Sequence, residues 1–314
     1  MVGVMPVVTL RLYADGISAP SMLVWRYGIA LLPLAAVAVA TRHDLRAALR
    51  GGAWRITLVG ATLGAGQTLC FWESLHTLDT SVAILLFYVY PALTLAIDRL
   101  FFKRPIRPRA LLCIGVILLG AGLVTLPGVT NGNLDPRGLM WLLPSPVIYA
   151  FYLAANAVLM RRHPPVVSAG FLYLGLALVF LAAGSVIGIE VPTTAGAWLL
   201  IVFIALGPGA LTVTLFSYSV PRLGPTSYAI IANTELLTVV AIGVLWLGDA
   251  VTPARAIGGA LIVAGILVHA LSRQRTPHPN ALPVVPGSSP GREREKSPSL
   301  AARSLSPFTG RGAG

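Results

Sequence analysis

Nine stretches of this 314-residue chain are apolar over about the 20 residues that a helix needs to cross a bilayer. They lie near residues 21–40, 54–75, 80–101, 110–126, 138–160, 168–188, 197–219, 226–247 and 254–271. Hydrocarbon offers no water to an unpaired amide, so each such segment has to satisfy its own backbone internally. The chain is 56% hydrophobic and 11% charged, whereas soluble domains carry about 25% charged residues, which excludes an ordinary soluble fold. A tenth apolar run, 2–14, is too short for a full crossing. It also lacks the basic start and the small-residue cleavage site of a signal peptide.

A shift of 145 positions lays the first half of the chain on the second. Gly64 then falls on Gly209, Phe71 on Phe216, Ser74 on Ser219 and Pro108 on Pro253. With five segments in each copy, an odd number, the second copy has to sit upside down relative to the first. The expected fold is therefore all-α and integral to the membrane: ten transmembrane helices as two inverted five-helix repeats, 1–126 and 127–271. By the same register the first helix looks truncated, which points to a start codon assigned too late. Residues 272–314 are rich in Pro, Ser, Gly and Arg and read as a disordered basic cytoplasmic tail.

Arg and Lys place the ends. Arg42, Arg46, Arg50 and Arg55, then Arg99, Lys103, Arg104, Arg107 and Arg109, then Arg161, Arg162 and Arg222 all fall on one side of alternating helices. That side is cytoplasmic by the positive-inside rule, and the tail joins it. The opposite side is sparse and mostly acidic, with Asp15, Asp135, Glu190 and Asp249. Lys103-Arg104 aligns with Gly248-Asp249, so equivalent turns carry opposite charge, as inversion requires. The net charge of +12 is thus a topological signal; no nucleic-acid signature accompanies it. Two cysteines in apolar runs and five scattered histidines give no disulfide framework and no metal site. No nucleotide loop, catalytic elbow or paired carboxylates occur, so neither an enzyme nor a cofactor is expected.

In inverted-repeat transporters the sequence pointer to the site is a pair of Gly/Pro-interrupted segments at corresponding positions. Gly60 to Gly66, with Gly64 between them, aligns with the region of Gly207-Pro208-Gly209. The same glycines also suit plain close packing of helices. Glu235 lies near mid-membrane, where a carboxylate costs about 2.5–3.5 kcal/mol on insertion scales, so it has to take up a proton or meet a cation. Its repeat partner is Tyr90, and Asn233 and Tyr88 form the neighbouring pair. The functional reading makes Glu235 a coupling residue for a proton or cation, or a ligand for a substrate amine; the bland one makes it a packing residue. Arg26 and Glu73 fall at similar depth, either pairing with each other or snorkelling to the interface. Gln67, Trp72, Asn156, Ser217 and Tyr218 complete the cavity candidates. Asp98 reads as a boundary residue. Gly115, Gly120 and Gly122, with Gly258, Gly259 and Gly265, mark tight packing, between protomers of a homodimer or within one chain.

The pattern resembles the drug/metabolite transporter superfamily in its EamA-type branch. The residues that carry the resemblance are Trp25-Arg26-Tyr27, Ser74-Leu75 through Thr80-Ser81-Val82-Ala83, Tyr90-Pro91, and Glu235 through Leu247-Gly248-Asp249 to Gly258-Gly259-Ala260-Leu261. It covers residues 1–271. The resemblance implies export or exchange of small metabolites, amino acids or drugs by alternating access, driven by ion or substrate gradients, across the cell's inner membrane. Three departures from the family pattern stand out: the short first helix, Lys103-Arg104 where Gly-Glu is frequent, and Leu236 in place of a proline. The competing readings are a nucleotide-sugar or sugar-phosphate exchanger, which would place several Lys or Arg in the cavity, and a non-transporting receptor or scaffold.

Overall fold

In a computed structural model, residues 5–78, 80–103, 108–129, 135–238 and 253–274 are described, and among them there is no β-strand. The first half comprises α1 (Met5–Ala14), α2 (Ala19–Ala40), α3 (Leu45–Arg50), α4 (Trp54–Val59), α5 (Ala65–Ser74), α6 (Thr80–Phe87), α7 (Tyr90–Phe102) and α8 (Pro108–Val129). The second comprises α9 (Pro136–Leu142), α10 (Pro144–Leu159), α11 (Pro165–Ile187), α12 (Ala195–Ala205), α13 (Thr212–Leu223), α14 (Pro225–Ala232) and α15 (Pro253–Gln274). Gly60–Gly64 joins α4 to α5, and Leu206–Leu211 joins α12 to α13, each as a π-helical turn.

Local chemistry sets the helix ends. Asp44 caps α3 by accepting from the amides of Arg46 and Ala47, and Thr194 caps α12 by accepting from that of Ala197. Gly224 stops α13 at φ +81°, a conformation that favours glycine, and Pro225 then opens α14.

Five helical stretches among the described residues are long and apolar enough to cross a membrane: Ala19–Ala40, Val82–Phe101, Pro136–Arg162, Pro165–Ile187 and Ala195–Leu223. Pro108–Val124 and Ala256–Leu271 are shorter apolar helices. The expected 54–75 crossing is helical from Trp54 to Ser74, while the expected 226–247 crossing runs beyond the described residues at 238. The turn at Gly248-Asp249 and nearly all of the expected tail also lie outside them. Apolar side chains face outward: Leu32, Leu100 and Val186 are 70%, 74% and 86% exposed. Such a surface suits lipid and not water.

The 145-residue shift recurs in the helices themselves, carrying Pro108–Val129 onto Pro253–Gln274. These two helices also pack on each other. A Cβ at Gly120 would lie 2.6 Å from the Gly258 oxygen and 2.8 Å from Ile262 Cγ1. One at Gly265 would lie 2.7 Å from Ile117 Cγ1 and 3.2 Å from the Cys113 oxygen. Ile117 and Ile262 are equivalent under the shift, so each helix offers the other the same contact. The pairs also run in opposite order along the chain, which makes α8 and α15 antiparallel. Gly120, Gly258 and Gly265 are thus occupied by packing inside one chain.

The equivalent helices α2 and α11 cross in the same sense. Val24 meets Gly184, and Tyr27 meets Phe180 and, further back along α11, Tyr173. On its other side α11 touches α4 backbone to backbone. A Cβ at Gly175 would collide with the Thr57 carbonyl, and one at Gly60 with that of Leu172. Thr57 Oγ1 uses this proximity to donate to the Phe171 carbonyl at 2.9 Å.

The loop between α11 and α12 is pinned to the start of α2. The Ser18 amide donates to the Glu190 carboxylate. The Glu190 amide donates to Ser21 Oγ at 3.0 Å, and Trp25 Nε1 donates to the Glu190 carbonyl at 3.0 Å. A carboxylate at a helix N-terminus meets amides that lack a partner within the helix. The Ser18 amide bond holds the Glu190 carboxyl below its ordinary range.

Two outcomes test this packing. Gly175→Ala is expected to lower stability in detergent by about 1–3 kcal/mol, because the α4 backbone cannot yield. Gly170→Ala on the same helix, where a Cβ would meet nothing within 4 Å, is expected to leave stability unchanged or slightly raised. Thermal unfolding of both variants measures the contrast. A depressed carboxyl pKa stabilises the fold above the unfolded value near 4.3, and that stability is lost as pH falls through the folded value. Melting temperature is therefore expected to drop in acid, with Glu190→Gln flattening part of that slope.

Candidate functional site

A cavity of about 300 Å³ is lined by residues of both halves, from Met5, Arg26 and Gly64 to Tyr149, Pro208 and Glu235. The backbone around it is broken in matched places. Two π-helical turns flank it at Gly60–Gly64 and Leu206–Leu211, a geometry frequent at functional sites. Pro208 lacks an amide and Gly64 lacks a side chain, and both line the cavity. A Cβ at Gly64 would stand 3.2 Å from the Tyr152 ring and 3.3 Å from Leu176.

A second pair of breaks lies beyond these. The chain turns at Tyr88-Val89 between α6 and α7, and at Asn233 after α14. Val89 bonds back to Leu86 and Asn233 to Ile230, each three residues earlier instead of four. Pro91 at the start of α7 removes the amide that would have continued the ladder. Tyr90 and Glu235 follow these two breaks, one in each half.

Of the expected site residues, the cavity gathers Glu235, Tyr90, Tyr88, Gln67, Trp72, Arg26, Gly64 and Pro208. Gln67 Nε2 donates to Ser145 Oγ at 3.4 Å. Tyr90 donates to the Ala229 carbonyl at 3.2 Å. Asn233 sits behind that contact, fully buried, with its Nδ2 donating to the same carbonyl at 2.7 Å. Asn156 is buried too and donates to the Tyr152 carbonyl at 2.9 Å. Ser217 is buried away from the lining.

Gly66, Gly207 and Gly209 stand in or beside the π-helical turns but off the lining. Tyr218 is 52% exposed, with its ring 3.7 Å from the Arg222 guanidinium. Glu73 also lies off the lining, close enough to act electrostatically on Tyr13. Arg26 turns elsewhere: its guanidinium lies 5.2 Å from the Tyr27 ring and beside the Tyr173 phenol. An Arg26–Glu73 ion pair is absent from the described residues. Asp98, read as a boundary residue, is 5% exposed and accepts from Thr226 Oγ1 across the two halves.

What the sequence did not single out is the aromatic wall. Seven of the chain's nine tyrosines line this cavity: Tyr27, Tyr88, Tyr90, Tyr149, Tyr152, Tyr173 and Tyr228. Tyr149 and Tyr152 stack at 5.7 Å, Tyr149 meets Tyr90 edge-on at 5.0 Å, and Phe216 stacks on Tyr152 at 5.5 Å. The available signal was the spacing Tyr149-x-x-Tyr152, which puts two phenols on one helical face. Among the described residues no group of three or more His, Cys, Asp or Glu side chains is placed to hold a metal ion.

A multi-pass helical protein whose two halves both line one cavity belongs to the class of membrane transporters. The chain is a member of the EamA-like transporter family, whose model matches it twice, over residues 1–126 and 136–271. It is 26% identical over 218 residues to an "Uncharacterized transporter" of Archaeoglobus fulgidus, covering 68% of this chain and 75% of that protein. It is also 26% identical over 255 residues to a "Probable terminal-alkyne amino-acid exporter" of Streptantibioticus cattleyicolor, covering 77% and 84%. A solved structure described as "Crystal structure of protein" superposes with a TM-score of 0.72 at 19% identity, covering 87% of this chain and 94% of its own, a likeness of fold.

Proposed function

We propose that this transporter is a secondary active exporter of a small metabolite, amino acid or drug, working by alternating access across the cytoplasmic membrane. In this reading residues 1–126 and 127–271 are inverted five-helix repeats, ten crossings in all, with both termini in the cytoplasm. The antiparallel packing of α8 on α15 and of α2 on α11 supports the inversion, because each pair is equivalent under the 145-residue shift. The family match in two stretches supports the repeat. An exporter of an amino acid among the relatives supports the direction and the class of cargo.

The observation that carries the site is the pairing of breaks around one cavity. Each half contributes a π-helical turn and a tight turn, and the tight turns deliver Tyr90 and Glu235 to the same space. Irregular backbone at membrane depth is tolerated where it lines a water-filled cavity or is buried in protein. Glu235 is the one carboxylate on the described lining. It is the coupling residue in this reading, exchanging a proton or cation for the cargo. Arg26 as the one cation on the described lining argues against a phosphate-rich cargo, which calls for several Arg or Lys.

The test is transport in proteoliposomes under an imposed pH gradient, with release of amino-acid mixtures followed by mass spectrometry. Wild type is expected to export at a rate that follows the gradient. Glu235→Gln is expected to lose that dependence together with about tenfold or more of the rate. A Glu235→Gln protein that kept both would overturn the coupling role.

A further inference from the structure

Arg26 and Glu235 are the two charged side chains on the described cavity lining, and they form no ion pair with each other. Arg26 lies against Tyr27 and Tyr173, whose rings meet edge-on at 5.0 Å. Glu235 acts on a different set of phenols, those of Tyr88, Tyr90, Tyr149 and Tyr228. Tyr152 joins the two sets, adjoining Tyr27 and Tyr173 of the first and stacking on Tyr149 of the second. The cavity is thus bipolar, cationic at one end and anionic at the other, with aromatic walls between.

Among the described residues neither side chain meets an opposite charge, and the Tyr173 phenol bonds the Arg26 guanidinium. Arg26 Nε is buried and has no hydrogen-bond partner, and neither side chain has an ion-pair partner among the described residues. A buried charge left without a counter-charge is costly, and polar groups aimed into a cavity fix the orientation of what binds there.

We infer that the cargo is a zwitterion whose anionic and cationic groups are separated by an apolar spacer, the anion on Arg26 and the ammonium on Glu235. The inference rests on the reading of this cavity as the transport site. An α-amino acid carries both charges on neighbouring atoms, so it satisfies one end of the cavity and leaves the other unmatched. A spaced zwitterion meets both ends. Its spacer lies along the Tyr149 and Tyr152 rings, and its ammonium also gains from the tyrosine faces near Glu235.

Two isomers of one composition separate these cases: norleucine, with adjacent charges, and ε-aminocaproate, with its charges at opposite ends. Calorimetric titration of the full chain in detergent is expected to give about tenfold tighter binding of ε-aminocaproate than of norleucine, hexylamine or hexanoate. Arg26→Gln and Glu235→Gln are each expected to abolish that preference, and Arg26→Lys to keep most of it, which separates lost charge from lost folding. Norleucine binding as tightly as ε-aminocaproate, and lost in Tyr149→Ala, would overturn the spaced-charge inference and leave the cavity as the site. ε-Aminocaproate binding undiminished in both Arg26→Gln and Glu235→Gln would overturn the cavity reading itself. No heat with any of the four compounds would overturn the spaced-charge inference, and proteoliposome export would then decide the transport reading separately.

Discussion

Hydrocarbon supplies no hydrogen bonds, and that single constraint organises this molecule. A backbone amide in the bilayer has to find its partner within the protein, so the default is uninterrupted helix. Every departure then needs a local compensation, and four of those among the described residues form two pairs. The turns at Gly60–Gly64 and Leu206–Leu211 stay helical by widening to π geometry. Those at Val89 and Asn233 tighten to three-residue bonds. The Ala229 carbonyl, in the helix just before the second tight turn, takes up both the Tyr90 phenol and the Asn233 amide. The breaks are therefore satisfied from within, and all four surround the cavity.

The constraint also explains which features the sequence disclosed. Gly and Pro are rare enough inside apolar runs to mark a break, so Gly64 and Gly209 located the first pair. An ionisable group at mid-depth is expensive enough to stand out, so Glu235 and its partner Tyr90 led to the cavity wall. Helix phase was harder to read. In a membrane helix both the lipid face and the core face are apolar, so no moment says which way Asn156 or Ser217 points; both turn into packed protein. Asn233, expected on the cavity wall, bonds the Ala229 carbonyl off the lining.

The tyrosines were hidden for a related reason. Phenols in membrane proteins gather at the water interface, so a tyrosine in an apolar run reads as a belt residue. Only the tertiary arrangement brings Tyr27 and Tyr173 beside Tyr149, Tyr152 and Tyr228, from four separate helices. The same arrangement makes the Arg26 environment intelligible. Sequence depth matched it with Glu73, whereas the fold offers it phenols that share the cavity.

Among the polar bonds that cross between the halves in the described residues, two bear on how the cavity could open. The Glu190 carboxylate of the second half takes the Ser18 amide at the start of α2. Thr226 at the start of α14 donates to Asp98 near the end of α7. Rocking one repeat against the other cannot keep both bonds if they lie at opposite ends, as the proposed topology has them. Opening outward would break the Glu190 clasp, and opening inward would break the Asp98 bond. The two are unequal in kind. Glu190 is exposed and its bonds compete with water, whereas Asp98 is 5% exposed and its bond to Thr226 is shielded from it. In the proposed topology the exposed Glu190 clasp is the weaker of the two, and the buried Asp98 contact the stronger.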